Sequence, residues 1–211
     1  MSTPSGTIVR NLTFKSDDFG RETTILLVFD TDMEGLYDTI YPVVWKTFTF
    51  PARGSRSYNV TYSDDLAFSK ANIGHDNLVQ TSSSLKLKPG QKTTLSLKDK
   101  RTRFSPPVNF ATGDHLTAEN ETGFIQDLAV GFYDPSKPVI YDLSRAVIIA
   151  SGPDPMLFFK EVGNGKTEVL VGAIKSTAIL EQDLHQLFRN TVFNLERNIL
   201  TGRCKLTKTK P

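Results

Sequence analysis

Ser83–Lys98 reads SSLKLKPGQKTTLSLK, two alternating runs on either side of Pro89-Gly90. Leu85, Leu87, Leu95 and Leu97 fall on one side of the alternation and Lys86, Lys88, Ser96 and Lys98 on the other, the period of two that marks a half-buried β-strand. Proline presets φ and glycine accepts the positive φ that follows, so the pair suits the centre of a type II turn. The stretch predicts a β-hairpin with one apolar and one basic face, and it makes strands the default for the rest of the chain.

Outward from it the same signal recurs. Thr7–Phe14, Thr23–Phe29, Val43–Phe50 and Ser57–Tyr62 read as strands on the N-terminal side, the second a continuous apolar run suited to burial on both faces. Phe48 and Phe50 share one face of their strand, as do Tyr58, Val60 and Tyr62 of the next, with the loop PARGS between. Leu116–Glu121, Ile125–Phe132 and Ala146–Ala150 follow. A second hairpin, MLFFKEVGNGKTEVLVGAI (Met156–Ile174), turns at Asn164-Gly165, a pair suited to a type I′ turn. Residues 11–32 with 43–62 keep the same rhythm of strands and loops as residues 118–135 with 146–162, which fits a duplicated motif as well as a coincidence of strand spacing.

From Ser176 the period changes. Leu180, Leu184, Leu187, Phe188, Thr191, Leu195 and Ile199 recur at steps of three and four, the stripe of an amphipathic helix over 176–202. Ser176 or Thr177 caps it and Gly202 ends it. The expected fold is thus mainly β: an antiparallel β-sandwich over 1–175 of about nine to eleven strands, closed by one C-terminal α-helix. In the duplicated reading, halves at about 5–75 and 114–175 are joined by a basic segment at 76–113, and a basic tail follows at 203–211. The helix would dock on the sandwich or form a homo-oligomer seam.

A chain of 211 residues is long enough to hold a core without crosslinks, and its one cysteine, Cys204, excludes an intramolecular disulfide. The opening MSTPSGTIVRNLTF lacks the pattern of a secretory signal, and no apolar run approaches the roughly 20 residues of a membrane span, so a soluble cytoplasmic protein is expected. Asn11, Asn59 and Asn120 begin N-glycosylation tripeptides, read in that setting as accidents of Thr-rich strands. The net charge of +2 is uneven: between Lys86 and Arg103 seven cations face Asp99 alone. Lys86, Lys88 and Lys98 could meet an anionic surface, but no aromatic side chain interleaves them as nucleic-acid stacking would require.

Residues for chemistry are few. His75 and His115 lie in loops and His185 on the predicted helix, with none of the spacings by which neighbouring histidines share a metal. Asp30, Asp32 and Asp38 offer the weak outline of a calcium loop, without the glutamate an EF-hand needs at its twelfth position. No glycine loop for phosphate and no nucleophile elbow is present, and no cofactor is expected. With Phe48 and Phe50 inward, alternation places Trp45, Thr47 and Thr49 outward, beside Asn59 and Thr61, with Arg53 and Arg56 in the adjoining loop. A ring next to hydroxyl and amide groups suits a sugar or another flat polar ligand. A lectin-like carbohydrate-binding module is therefore the leading expectation. The alternatives are a small isomerase, cyclase or hydrolase using His75 or His115 on an apolar substrate between the sheets, and an anionic-membrane-binding protein.

Overall fold

The computed structural model describes residues 7–27, 40–42, 46–73, 79–110, 116–133, 147–151, 156–158 and 178–209. Among them the chain forms β1 (Val9–Ser16), β2 (Thr23–Leu27), β3 (Ile40–Pro42), β4 (Lys46–Phe50), β5 (Arg56–Ser63), β6 (Leu66–Ile73), β7 (Val79–Leu87), β8 (Gln91–Lys98) and β9 (Arg101–Phe104). Then come β10 (Val108–Asn109), β11 (Leu116–Asn120), β12 (Gln126–Phe132), β13 (Val147–Ser151), β14 (Met156–Phe158), β15 (Asn190–Arg197) and β16 (Cys204–Thr209). One 3-10 turn, Leu184–Gln186, completes the list. No helix among the described residues is long and apolar enough to cross a membrane.

Two compact units divide the chain: Met1–Leu26, Thr47–Asp64 and Ile174–Pro211 in unit 1, and Leu27–Lys46 and Asp65–Ala173 in unit 2. Residues 5–75 therefore contribute to both. In unit 1 a four-stranded sheet has the order β16-β15-β1-β5, and β2 pairs with β4. β1 runs parallel to β15 and antiparallel to β5, while β15 and β16 form an antiparallel hairpin. Alternation turns Leu12, Phe14, Val60, Tyr62, Phe193 and Leu195 inward, where they are buried with Phe48 and Phe50 of β4. The Phe14 and Phe193 rings stack at 5.1 Å, and Tyr58 stacks on Phe48 at 4.6 Å. Phe19, in the link after β1, lies 6.4 Å from Phe50 and closes this aromatic core.

Unit 2 holds a sheet ordered β10-β8-β11-β14, with β9 also on β8, and a second ordered β3-β13-β12-β6-β7. Phe68, Leu87, Leu128 and Val130 from the second sheet join Leu95, Leu116 and Ala118 from the first in one buried core. The order β9-β8-β11-β14 repeats β16-β15-β1-β5. In both the central pair is parallel, and each of its strands has an antiparallel neighbour outside. Burial follows the same alternation: Phe14, Phe193 and Leu195 are buried in unit 1, and Ala118, Thr93 and Leu95 in unit 2.

Three expectations are corrected here. Residues 178–202 contain no α-helix: Asn190–Arg197 is a strand in which Thr191, Phe193 and Leu195 are buried and Asn190 and Glu196 exposed, and the only helical turn is 3-10. Asn190, Asn194 and Asn198 are poor helix formers, and the Thr-Val-Phe run prefers a pleated surface. The tail is likewise no loose end over 204–209, because β16 pairs with β15 from Cys204 to Thr209. Finally, Ser83–Lys98 is not a hairpin. Gly90 takes φ +81° as the turn requires, but β7 pairs with β6 in one sheet and β8 with β9, β10 and β11 in another. Of the second predicted hairpin, Met156–Phe158 is strand and the remainder lies outside the described residues.

Lys70 on β6 is buried, its ammonium donating to the carbonyl of Ala71 and, at 3.1 Å, to Oδ1 of Asn72. Loss of hydration lowers its pKa below the ordinary lysine value of 10.5, with the Asp127 carboxylate pulling part of the way back. The unfolded chain thus holds this proton more tightly than the folded one, so stability rises as pH climbs from the folded value toward the ordinary one. Lys70→Met should remove that rise and leave the protein at least as stable at neutral pH; denaturation midpoints between neutral and alkaline pH check both.

Candidate functional site

The outer face of the unit 1 sheet is set by the residues that alternate with its core. Registered across β5, β1, β15 and β16, they form rows: Thr61, Asn11 and Asn190; then Asn59, Thr13, Val192 and Thr209; then Ser57, Lys15, Asn194 and Thr207. Four strands make this patch about 14 Å wide, with rows about 7 Å apart. Short amides and hydroxyls dominate its centre, around the methyls of Val192.

Those groups hold one another in place. Asn11 Nδ2 donates to Asn190 Oδ1 at 2.9 Å, and Thr61 Oγ1 to Asn11 Oδ1 at 3.2 Å. Thr13 Oγ1 donates to Asn59 Oδ1 at 2.8 Å, and Asn194 Nδ2 to Thr209 Oγ1 at 2.8 Å. Within this array the Nδ2 groups of Asn59 and Asn190 remain as surface donors. Each amide is thereby oriented before any ligand arrives, which lowers the ordering cost of binding.

No known protein family, curated protein or solved structure matches the chain.

The residues singled out in the sequence are divided by the fold. Asn59 and Thr61 belong to the amide face. Thr49 lies instead on β4, exposed, its hydroxyl 2.9 Å from that of Thr24 on β2. Phe48 and Phe50 of β4 point at Tyr58 of β5 across the core, so the outward residues of these two strands, Thr47 and Thr49 against Asn59 and Thr61, lie on opposite outer surfaces of unit 1. Arg53 is exposed, and Arg56 sits 5.4 Å over the Tyr58 ring, whose hydroxyl donates to the Thr49 carbonyl at 2.6 Å. Trp45, His75, His115, Asp30, Asp32 and Asp38 lie outside the described residues. His185 Nε2 is 3.5 Å from the Tyr62 hydroxyl, and Arg10 anchors this turn by donating to the carbonyls of Leu184 and His185. Among the described residues no three His, Cys, Asp or Glu side chains gather as a metal site.

Asn11, Thr13, Asn190, Asn194, Thr207 and Thr209 were missed in the sequence, although a signal exists. Asn11-Leu-Thr13 and Asn59-Val-Thr61 repeat one Asn-x-Thr pattern, and strand alternation puts both its polar members on the same face. The fold does not demand such a surface. In unit 2 the registered outward positions Lys92, Thr94 and Glu119 carry an ion pair, Lys92 Nζ to Glu119 Oε1 at 3.0 Å.

Proposed function

We propose that the protein is a non-catalytic, lectin-like binding module whose ligand surface is the amide-and-hydroxyl face of the unit 1 sheet, built by Asn11, Thr13, Asn59, Thr61, Asn190 and Asn194. The observation that carries this reading is the hydrogen bonding of those side chains, Asn11 with Asn190 and Thr61, Thr13 with Asn59, and Asn194 with Thr209, which presents fixed donors and acceptors to a carbohydrate's hydroxyls around the apolar spot at Val192. The repeated strand order supports a β-sandwich motif present twice, with the centre of one copy's outer face kept to amides, hydroxyls and Val192 and the other's given an ion pair.

Calorimetric titration with a panel of neutral and acidic oligosaccharides tests it. At least one class should bind, and Asn59→Ala should weaken that binding about tenfold, the scale of one lost direct hydrogen bond. Its effect on stability should stay within about 0.5 kcal/mol because the side chain is exposed. Binding by no oligosaccharide, or binding indifferent to Asn59→Ala and Asn11→Ala together, would remove the proposal.

A further inference from the structure

Phe124 and Ile125, consecutive in the link between β11 and β12, are 65% and 73% exposed. Two large apolar side chains side by side at a loop tip are costly to leave in water without a partner. Nor are they loosely held. Asn120, buried at the end of β11, donates from Nδ2 to the Phe124 carbonyl at 2.8 Å, and its Oδ1 accepts from the backbone N–H and hydroxyl of buried Thr122 at 3.1 and 2.7 Å. Gln126 Nε2 donates to the Thr122 hydroxyl oxygen at 3.1 Å, and Gly123 supplies the positive φ of +79° that the turn needs. The side chains point out because a buried network fixes the backbone that carries them.

The corresponding link in unit 1, after β1, does the reverse. Its aromatic, Phe19, is buried against Phe50, and its exposed members, Asp17, Asp18, Gly20, Arg21 and Glu22, include no large apolar side chain. Strand order alone therefore does not force Phe124 outward.

Charge completes the picture. β8 runs parallel to β11, so both strands finish at the same end of unit 2, where the Glu121 N–H donates to the Leu95 carbonyl at 2.9 Å. Beyond Leu95 the β8–β9 turn exposes Lys98, Lys100 and Arg101, with Arg103 on β9, against the acids Asp99 and Glu121. Lys86 and Lys88 flank the opposite end of β8, and Lys86 is paired with Asp65 at 2.5 Å.

We propose that this end of unit 2 docks on an anionic lipid bilayer, Phe124 and Ile125 entering the interface while Lys98, Lys100, Arg101 and Arg103 meet the headgroups. An apolar pair on a projecting tip beside an excess of long, exposed cations matches a soft, negatively charged surface, and the two contributions together exceed what either gives alone. The site is separate from the amide face and stands whether or not that face binds sugar.

The test is co-sedimentation of the full chain with phosphatidylcholine vesicles with and without phosphatidylserine. Binding should require phosphatidylserine and weaken with added salt. Phe124→Ala with Ile125→Ala should lower the partition coefficient about tenfold or more, and Lys98→Gln, Lys100→Gln and Arg101→Gln together should do likewise. Circular dichroism and the thermal midpoint should not move, since all five side chains are exposed. As a comparison, Ile199→Ser with Leu200→Ser, at a hairpin tip of unit 1, should bind like the unaltered protein. The proposal is overturned if vesicles with phosphatidylserine bind no better than those without, if the Phe124/Ile125 variant binds undiminished, or if only the Ile199/Leu200 variant loses binding.

Discussion

Phe193→Ala should lower the free energy of unfolding by about 3–5 kcal/mol, the range for deleting a buried phenylalanine, whereas Ile199→Ala should change it by no more than about 0.5 kcal/mol. Phe193 is buried on β15, its ring stacked on Phe14 at an interplanar angle of 13° and continuous with the rings of Phe48 and Tyr58. Truncating it opens a cavity in a core that such stacking fills, and rings fixed by neighbouring strands cannot collapse far to close it. Ile199 sits in the β15–β16 turn at 86% exposure, so alanine there gives up little buried area. A helix over 176–202 predicts the opposite order, because Ile199 would lie on its apolar stripe and Phe193 on the reverse side. Denaturant unfolding of the two variants, with m-values compared to confirm an unchanged denatured state, decides between them; a larger loss at Ile199 would restore the helix.

Part of the strand inventory was legible in the sequence, whereas β3, β6, β9, β10, β15 and β16 fall outside every expected strand. β1, β5, β11, β12 and β13 fall within about two residues of the expected runs, because alternation of large apolar and polar residues is imposed by the pleat itself. The C-terminal segment misled because Leu180, Leu184, Leu187, Thr191, Leu195 and Ile199 match a period near 3.6, while Thr191, Phe193 and Leu195 also match a period of two. Only burial of Phe193 separates the two patterns, and burial depends on β1, about 180 residues away in sequence. Which strands pair was less legible still. Both PARGS and Pro89-Gly90 join strands of different sheets, and a turn-forming pair does not state whether the chain returns along the same sheet or crosses to another. For the same reason Thr49 and Asn59, placed together by assuming a hairpin, face opposite ways, whereas Asn11 and Asn190, far apart in sequence, touch. The amide face depends on a parallel pairing between strands from the two ends of the described chain, which no local pattern encodes.

The crossing at Pro89-Gly90 yields the second large effect. In a hairpin, Leu85, Leu87, Leu95 and Leu97 would share one sheet face and contribute alike. In the observed fold Leu85 and Leu87 approach from the β6–β7 side and Leu95 from the β8–β11 side, meeting in the core around Phe68 and Leu128, while Leu97 has run past the packed region and is 46% exposed. Leu95→Ala should therefore cost about 2–5 kcal/mol and Leu97→Ala under about 1 kcal/mol. Because Leu87 and Leu95 belong to one buried cluster though to separate sheets, their double replacement should be non-additive by about 0.5 kcal/mol or more, as expected of side chains sharing a cavity. Equal losses at Leu95 and Leu97 would return the segment to a single sheet. A fully additive Leu87/Leu95 cycle would mean that the two sheets do not share the core that holds unit 2 together.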